Sequence, residues 1–179
     1  VIKVESTRAV DMVREFGMFK GGEPGPDRAA MLQNVATGKL GLTLDLETLE
    51  GRQIAKDLVH WADVVTESFS PRAMRGWGLD YESLRKIKPD IIMSSICLWG
   101  QTGPYSSMAG FGALAAALGG FNTVIGWPDR MPVANISAYS DSVAPRFGLA
   151  AIMAAVDHRD RTGEGQYIDL SHIESVLQF

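Results

Sequence analysis

One carboxylate, Asp141, stands between a short polar and aromatic segment and a long apolar run. The stretch from Asn135 to Val156 reads NISAYSDSVAPRFGLAAIMAAV. An aspartate at this place can cap the following helix by accepting a hydrogen bond from the backbone N–H of Val143 or Ala144. It can also act as a nucleophile, because a carboxylate flanked by Tyr139 and an apolar helix is partly dehydrated. The chemistry alone favours the cap, and the two roles are compatible.

The other candidate residues give weaker signals. The three histidines, His60, His158 and His172, have no spacing typical of metal ligands, so no metal site is predicted. The single cysteine, Cys97, ends a predicted strand and is interpreted as a small hydrophobic residue. No serine stands in a G-x-S-x-G segment of the nucleophile-elbow type.

Two glycine-containing stretches could approach a ligand. GFGALA, from Gly110 to Ala115, resembles part of a dinucleotide fingerprint but follows a polar loop instead of a strand, so close helix packing is the favoured interpretation. The loop GQTGPY, from Gly100 to Tyr105, directly follows a predicted strand, where ligands of parallel sheets bind. Its spacing alone favours an ordinary turn.

The elements that must position these residues alternate between strand and helix. This order predicts crossover units and an α/β fold with a mostly parallel, Rossmann-like sheet flanked by helices. The predicted strands are Val1–Val4, Leu40–Leu46, 63–68, Asp90–Ile96 and Gln166–Leu170. The predicted helices are 48–63, Tyr81–Ile87, 113–120, the long helix after Asp141 and a last helix from His172.

The bulk composition is that of a globular protein. The chain has 179 residues, of which 46% are hydrophobic and 21% charged, and its net charge is -4. We expect a single α/β domain over residues 1–179 with a real core. The mild acidity argues against nucleic acid and against a membrane as partners. One cysteine excludes an internal disulfide, and the default expectation is a cytoplasmic protein.

Both ends of the sequence look like cuts through an element. VIKVE reads as a strand that begins at the first residue, and HIESVLQF reads as a helix still in progress at the last one. We therefore expect a fragment of a longer protein that lacks the extreme N-terminus and the C-terminal half.

Several motifs, in this order, resemble the class III CoA-transferases of the CaiB/BaiF type. The matching pieces are VIKVE, GKLGLTLDL, the T-x-E-G-R helix start, ADVVTESFSP, WGLDYESLRKIKPDII, SICLWGQTGPY and RTGEGQYIDLSHIES. The family includes formyl-CoA, carnitine and benzylsuccinate CoA-transferases. The resemblance implies that the chain is part of the large domain of such an enzyme, which forms interlocked dimers.

The resemblance assigns the chemistry to Asp141. At the matching place the family has an aspartate that attacks an acyl-CoA thioester, so Asp141 is expected to be both cap and catalyst. An aspartyl anhydride forms first, then an aspartyl-CoA thioester, and the acceptor carboxylate reverses the sequence. The backbone N–H groups of Ser142 and Val143 are the candidate oxyanion donors.

The resemblance also implies where coenzyme A and the acyl group bind. Coenzyme A enters as a substrate, and no metal is implied. The implied CoA-binding residues are Lys39, Ser68, Phe69, Arg72, Arg75 and Gln101. The family commonly has ENFRPG where this chain has ESFSPR, so Arg72 and Arg75 are expected to supply the displaced positive charge. Phe111 and Tyr139 are expected to line an acyl pocket more apolar than that of the formyl and carnitine enzymes.

Two alternatives remain open. The α-methylacyl-CoA racemases share the fold and use a histidine in a G-H-D segment, but here Gly110, Phe111 and Gly112 stand at that place, which disfavours two-base proton transfer. A non-catalytic subunit that completes a partner's fold is the other alternative, and such a subunit need not keep Asp141. The expected assembly is a homodimer or a heterodimer with a related subunit.

Overall fold

A computed structural model of the chain describes residues 1–132 and 139–179. Residues 135–138, at the start of the segment that carries Asp141, lie outside the described residues. Residue contacts divide the chain into two compact units, Val1–Ala55 and Lys56–Phe179. The single domain expected over residues 1–179 stays a prediction.

The first unit contains a two-stranded parallel sheet. Strand β1 (Ile2–Glu5) pairs with strand β2 (Leu40–Thr43), with Ile2 opposite Leu40. Parallel strands need a long crossover connection, and helix α1 (Ala30–Ala36) lies within it. Two short 3-10 turns precede that helix, at Met12–Arg14 and Lys20–Gly22.

An ion-pair network ties β1 to the crossover connection. Arg14 donates two hydrogen bonds to the Glu5 carboxylate, from Nε at 2.8 Å and from Nη2 at 2.9 Å. Lys3 lies 2.8 Å from Glu5 and 2.6 Å from Asp11. The hydrogen bonds from Arg14, joined by those from Lys3, lower the pKa of Glu5 from 4.5 to about 2.

The second unit contains a three-stranded parallel sheet in the order β3-β4-β5. The strands are β3 (Val64–Glu67), β4 (Ile92–Cys97) and β5 (Tyr167–Ser171). The helices that follow α1 along the chain are α2 (Leu49–Trp61), α3 (Pro71–Trp77), α4 (Tyr81–Ile87), α5 (Gly112–Leu118), α6 (Phe121–Val124), α7 (Tyr139–Thr162) and α8 (His172–Val176). Helix α2 includes the point at which the two units divide.

The core of the second unit lies at β4 and the long helix α7. The residues from Ile91 to Ser95 are almost completely buried, as expected for the central strand of a parallel sheet. Helix α7 approaches this strand at Gly148, where an added Cβ would lie 2.6 Å from Ile96 Cδ1. A glycine at this position therefore lets the helix backbone pack directly on the strand.

The predicted parallel α/β class is confirmed, and each predicted strand is present with shifted bounds. Helix α4 has its predicted bounds, because Asp80 caps it by accepting from Ser83 N–H at 2.9 Å and Pro89 follows its end. Helices α1 and α3 were not predicted. Each buries a single side chain, Leu32 or Met74, so neither carries a helical hydrophobic pattern. No helix in the described ranges is long and apolar enough to cross a membrane.

Candidate active site

The carboxyl ends of the three strands β3, β4 and β5 lie at one edge of the sheet, where parallel sheets bind ligands. Glu67 ends β3, Cys97 ends β4 and Ser171 ends β5. His172 follows Ser171 directly as the first residue of α8. This edge is the candidate active site.

Asp141 lies inside the first turn of α7, as the third residue of the described helix. The cap prediction is therefore wrong, because an N-cap residue stands before the first helical residue and helix α7 already includes Tyr139 and Ser140. Its carboxylate instead reaches His172, with Oδ1 at 3.2 Å from Nδ1. The Asp141 side chain is 45% exposed, so one side of the carboxylate remains open to an incoming substrate.

Ser140 and His172 complete a small buried network beneath this carboxylate. The Ser140 hydroxyl is fully buried and donates to the carbonyl of Gly112 at 3.0 Å. The same hydroxyl oxygen lies 3.5 Å from His172 Nδ1. The His172 side chain is only 14% exposed, so its hydrogen bonds compete little with water.

Gly112, the first residue of α5, allows the carboxylate to lie against the backbone. A Cβ built on Gly112 would lie 2.6 Å from Asp141 Oδ1 and closer still to Oδ2. No real side chain tolerates such a contact, so any other residue at this position displaces the carboxylate. Phe111, the residue before Gly112, is 67% exposed.

Helix α7 has an irregular beginning because Pro145 lies inside it. A proline has no backbone N–H and cannot donate to the carbonyl four residues earlier, which is that of Asp141. The described helix begins at Tyr139, so Pro145 lies beyond its first turn. The turn that carries the candidate nucleophile therefore lacks one helical hydrogen bond.

The two residues predicted for the acyl pocket both lie near Asp141 in the fold. Phe111 precedes Gly112, and Tyr139 lies two residues before Asp141 on α7. The Tyr139 ring packs on Phe121 of α6, with the ring centroids 4.9 Å apart. Their role in binding an acyl group stays a prediction.

The predicted oxyanion donors differ in their surroundings. Ser142 follows Asp141 and is exposed. Val143 is buried, and its amide falls at the fifth residue of the described helix, where an N–H normally donates to the carbonyl four residues before it. Ser142 and Val143 both stay predicted oxyanion donors.

Three of the predicted CoA-binding residues meet at the same edge of the sheet. Gln101 donates from Nε2 to the carbonyl of Phe69 at 3.3 Å, and Ser68 precedes Phe69 in an exposed loop. The Phe69 ring packs edge-on against Trp77, with the centroids 5.1 Å apart. Half of the Phe69 side chain is exposed and can stack with a planar ligand.

The remaining predicted CoA-binding residues are cationic. Arg72 and Arg75 lie on α3, which begins at Pro71 directly after the Phe69 loop, and both are exposed. Lys39 belongs to the first unit, where it is exposed and lines a cleft together with Lys3 and Arg14. All three predicted cations therefore face solvent.

A buried carboxylate, Glu67, was missed by the sequence reading. Burial raises its pKa, and its Oε2 accepts from the Phe69 N–H at 2.6 Å. Its neighbour Gln101 also donates from its backbone N–H to Asp169 at 2.8 Å. This network holds the loops after β3 and β4 together, so Glu67 fixes the shape of the predicted CoA-binding edge. In the sequence, the feature that indicates a role for Glu67 is its position at the end of a predicted parallel strand.

Cys97 is half-buried, and burial raises the pKa of its thiol, which makes it a poor nucleophile. Within residues 1–132 and 139–179, no group of three or more His, Cys, Asp or Glu side chains is arranged to hold a metal ion. Among the described residues at this edge of the sheet, Asp141 is the exposed carboxylate that pairs with a histidine.

Known proteins of one family are similar to this chain over almost its whole length. A family model described as CoA-transferase family III matches residues 1–179. The succinyl-CoA–D-citramalate CoA-transferase of Chloroflexus aurantiacus is 38% identical over 99% of this chain and 43% of its own length. The succinate–glutarate CoA-transferase of Agrobacterium fabrum is also 38% identical, over 97% of this chain and 44% of its length.

A solved structure extends the comparison to the fold. The crystal structure of a CAIB/BAIF family protein from Brucella suis matches with a TM-score of 0.89 and 37% identity, over 99% of this chain and 47% of that one. The chain thus spans less than half the length of the relatives that it matches.

Proposed function

This chain belongs to CoA-transferase family III, and from that premise we propose that its complete protein transfers coenzyme A from an acyl-CoA donor to a carboxylic acid acceptor. The observation that carries the proposal is the Asp141 carboxylate, half exposed and paired with His172 at the carboxyl edge of the parallel sheet. A carboxylate held in this way is available as a nucleophile.

The reaction begins when Asp141 Oδ2 attacks the thioester carbon of the donor. The C–S bond breaks, coenzyme A leaves as its thiolate, and a mixed anhydride remains on Asp141. The thiolate then attacks Asp141 Cγ, and the bond from Cγ to the bridging oxygen breaks. The donor acid leaves as its carboxylate, and an aspartyl-CoA thioester remains. The acceptor carboxylate reverses both steps and restores Asp141.

We assign the residues around Asp141 to three tasks. The missing side chain of Gly112 leaves space for the carboxylate. Backbone N–H groups at Ser142 and Val143 are the proposed donors to the oxyanion that forms on the substrate, and Phe111 with Tyr139 covers the acyl chain. The edge-on Phe69–Trp77 pair stacks with the adenine, and Gln101 keeps its loop in place. Arg72 and Arg75 bind the phosphates of coenzyme A. Lys39, in the first unit, stays a CoA-binding residue implied by the resemblance.

The substrates proposed first are short dicarboxylic acids. The names of both relatives contain succinyl-CoA or succinate together with citramalate or glutarate, and succinate, citramalate and glutarate are all dicarboxylic acids. Succinyl-CoA is therefore the first donor to test. The racemase alternative is not favoured, because Phe111 replaces its histidine and both relatives are named CoA-transferases. A non-catalytic subunit is disfavoured by the retained Asp141.

The test is to trap the covalent intermediate on the complete protein. Incubation with succinyl-CoA and hydroxylamine, followed by digestion and mass spectrometry, is expected to give a hydroxamate on the peptide that contains Asp141. The variant Asp141→Asn keeps the shape of the side chain but lacks a nucleophilic carboxylate, so transfer is expected to fall by at least about 10³-fold.

The matched control is Asp157→Asn on the same helix. Asp157 forms an exposed i,i+4 ion pair with Arg161, which contributes little to stability. This control is expected to transfer coenzyme A at the wild-type rate. Turnover that survives in Asp141→Asn, or a hydroxamate only on another peptide, contradicts the proposed function.

A further inference from the structure

His172 is the side chain through which β5 reaches the candidate nucleophile. It follows the last residue of the strand, and its Nδ1 lies 3.2 Å from Asp141 Oδ1 and 3.5 Å from Ser140 Oγ. The imidazole is largely buried, whereas the carboxylate is half exposed. The histidine thus contacts Oδ1, and part of the Asp141 side chain stays accessible to a substrate.

The two polar neighbours of Nδ1 indicate which ring nitrogen of His172 carries the proton. Ser140 has one hydroxyl proton, and it donates that proton to the Gly112 carbonyl. Toward His172 its oxygen can therefore only accept, and an ionised carboxylate also only accepts. Both neighbours of Nδ1 are acceptors, so Nδ1 carries the proton and acts as the donor.

On the basis of the CoA transfer proposed above, we propose that His172 is the positioning residue of Asp141, with Nδ1–H holding Oδ1 so that Oδ2 meets the substrate. A hydrogen bond to one oxygen fixes the rotation of the carboxylate about Cβ–Cγ. The free oxygen then reaches the thioester carbon in one orientation instead of several, which lowers the entropic part of the barrier.

The same donor acts again when Asp141 itself is attacked. As the CoA thiolate adds to Cγ of the anhydride, the Cγ–S bond forms and the electron pair of the carbonyl moves onto Oδ1. Since Nδ1 lies 3.2 Å from Oδ1, a proton on Nδ1 stabilises this charge. The pair then returns to re-form the carbonyl, the bond to the bridging oxygen breaks, and the donor acid leaves as its carboxylate.

The experiment compares His172→Asn with His172→Gln in the complete protein. The amide of asparagine places an N–H near the position of Nδ1, whereas the amide of glutamine places it near Nε2. Steady-state kcat and KM for succinyl-CoA are measured, with thermal unfolding by circular dichroism to show that both variants fold. His158→Asn is the matched control, because His158 lies at the surface, 3.9 Å from Glu164.

The two variants are expected to differ in kcat. Loss of one donor to an oxyanion costs about 10²-fold in kcat, so His172→Gln is expected to fall by that factor while its KM changes less than about threefold. His172→Asn is expected to stay within about tenfold of the wild-type kcat. The His158→Asn control is expected to match the wild type.

Three outcomes overturn the positioning role while leaving CoA transfer intact. They are equal kcat losses in the two His172 variants, wild-type kcat in both, and a rise in KM without a fall in kcat. A wild-type protein that forms no hydroxamate on Asp141 overturns the proposed function as well. The trapping experiment therefore distinguishes failure of this inference from failure of the proposal on which it rests.

Discussion

At Gly112 the backbone itself forms the wall against which the Asp141 carboxylate lies. The position an added Cβ would take is already occupied by the carboxylate, with Oδ1 at 2.6 Å. Asp141 has a short side chain and must rotate away if a methyl group appears there. A residue that makes no hydrogen bond to substrate thus decides where the nucleophile points.

We expect Gly112→Ala to reduce kcat by on the order of 10²-fold, because a displacement of about 1 Å at the reacting atom has that effect. The free energy of unfolding should change by less than about 1 kcal/mol, since the exposed carboxylate can move aside and alanine favours a helix. Steady-state kinetics with succinyl-CoA and urea unfolding measure the two quantities.

The matched control is Gly76→Ala in α3, where an added Cβ meets nothing within 4 Å. This variant is expected to keep the wild-type kcat and to be at least as stable. A Gly112→Ala protein with full activity would show that the carboxylate does not need its present place.

The sequence predicts the nucleophile but not its surroundings. Asp141 stands out through its place before an apolar run and through the family resemblance, yet its partner His172 lies in a different element. Ser140 and His172 are 32 positions apart in the chain, so no local pattern joins them. Only the crossover that brings β5 beside β4 places the histidine under the carboxylate.

At the scale of elements, helix α7 is held on strand β4 through a glycine. Gly148 is buried, and the nearest atom to its missing Cβ is Ile96 Cδ1 at 2.6 Å. The helix that carries Asp141 is thus positioned by a close backbone-to-side-chain contact about two turns further along. Accurate placement of this helix therefore depends on the size of both residues.

We expect Gly148→Ala to lower the free energy of unfolding by about 1 kcal/mol, because overpacking outweighs the helix propensity of alanine. Ile96→Val removes the Cδ1 methyl and by itself should cost about 1 kcal/mol. In the double variant the new methyl occupies the vacated space. The free energy of unfolding of the double variant should therefore be about 1 kcal/mol higher than the value expected from adding the two single losses, as measured by urea unfolding.

Strictly additive losses in this double-mutant cycle would show that α7 and β4 do not meet at this pair.

The contact between Gly148 and Ile96 could not be predicted from the sequence, since nothing in the apolar run around Gly148 indicates which residue it contacts. The strands and helix α4 were predictable because their apolar spacing and capping residues are local. Helices α1 and α3 were not, since their single buried side chains give no period.

At the scale of the whole molecule, the two compact units differ in what stabilises them. The second unit buries its central strand β4 almost completely, whereas β1 of the first unit is fixed by ion pairs around Glu5. The parallel α/β class followed from the order of elements in the sequence. This ion network did not, because it joins Glu5 to Arg14 across an irregular segment.

The Glu5 network predicts an acid-sensitive first unit. The pKa of Glu5 is about 2 in the folded chain, whereas its ordinary value is 4.5. Between these pH values the unfolded chain therefore binds a proton that the folded chain does not. The stabilisation is fully present above pH 4.5 and is lost as the pH falls toward about 2. Above pH 4.5 we expect the free energy of unfolding of the wild type to exceed that of Glu5→Gln by about 2 kcal/mol. This difference should shrink as the pH falls from 4.5 to about 2.

Urea unfolding at a series of pH values measures this gap. Far-ultraviolet circular dichroism is the suitable signal, since all four tryptophans lie in the second unit. Glu23→Gln is the control, because the Glu23–Arg28 pair lies at the surface and contributes little. A Glu5→Gln gap that stays constant from pH 4.5 to about 2 would contradict the role of the network.

Pro145 gives the first turn of α7 a mechanical property that the rest of the helix lacks. In the proposed reaction, residue 141 carries in succession a bare carboxylate, an acyl adduct and the whole of coenzyme A. Because Pro145 already removes the helical hydrogen bond to the carbonyl of this residue, a tilt of the turn around these growing adducts would break one backbone hydrogen bond fewer than in an uninterrupted helix.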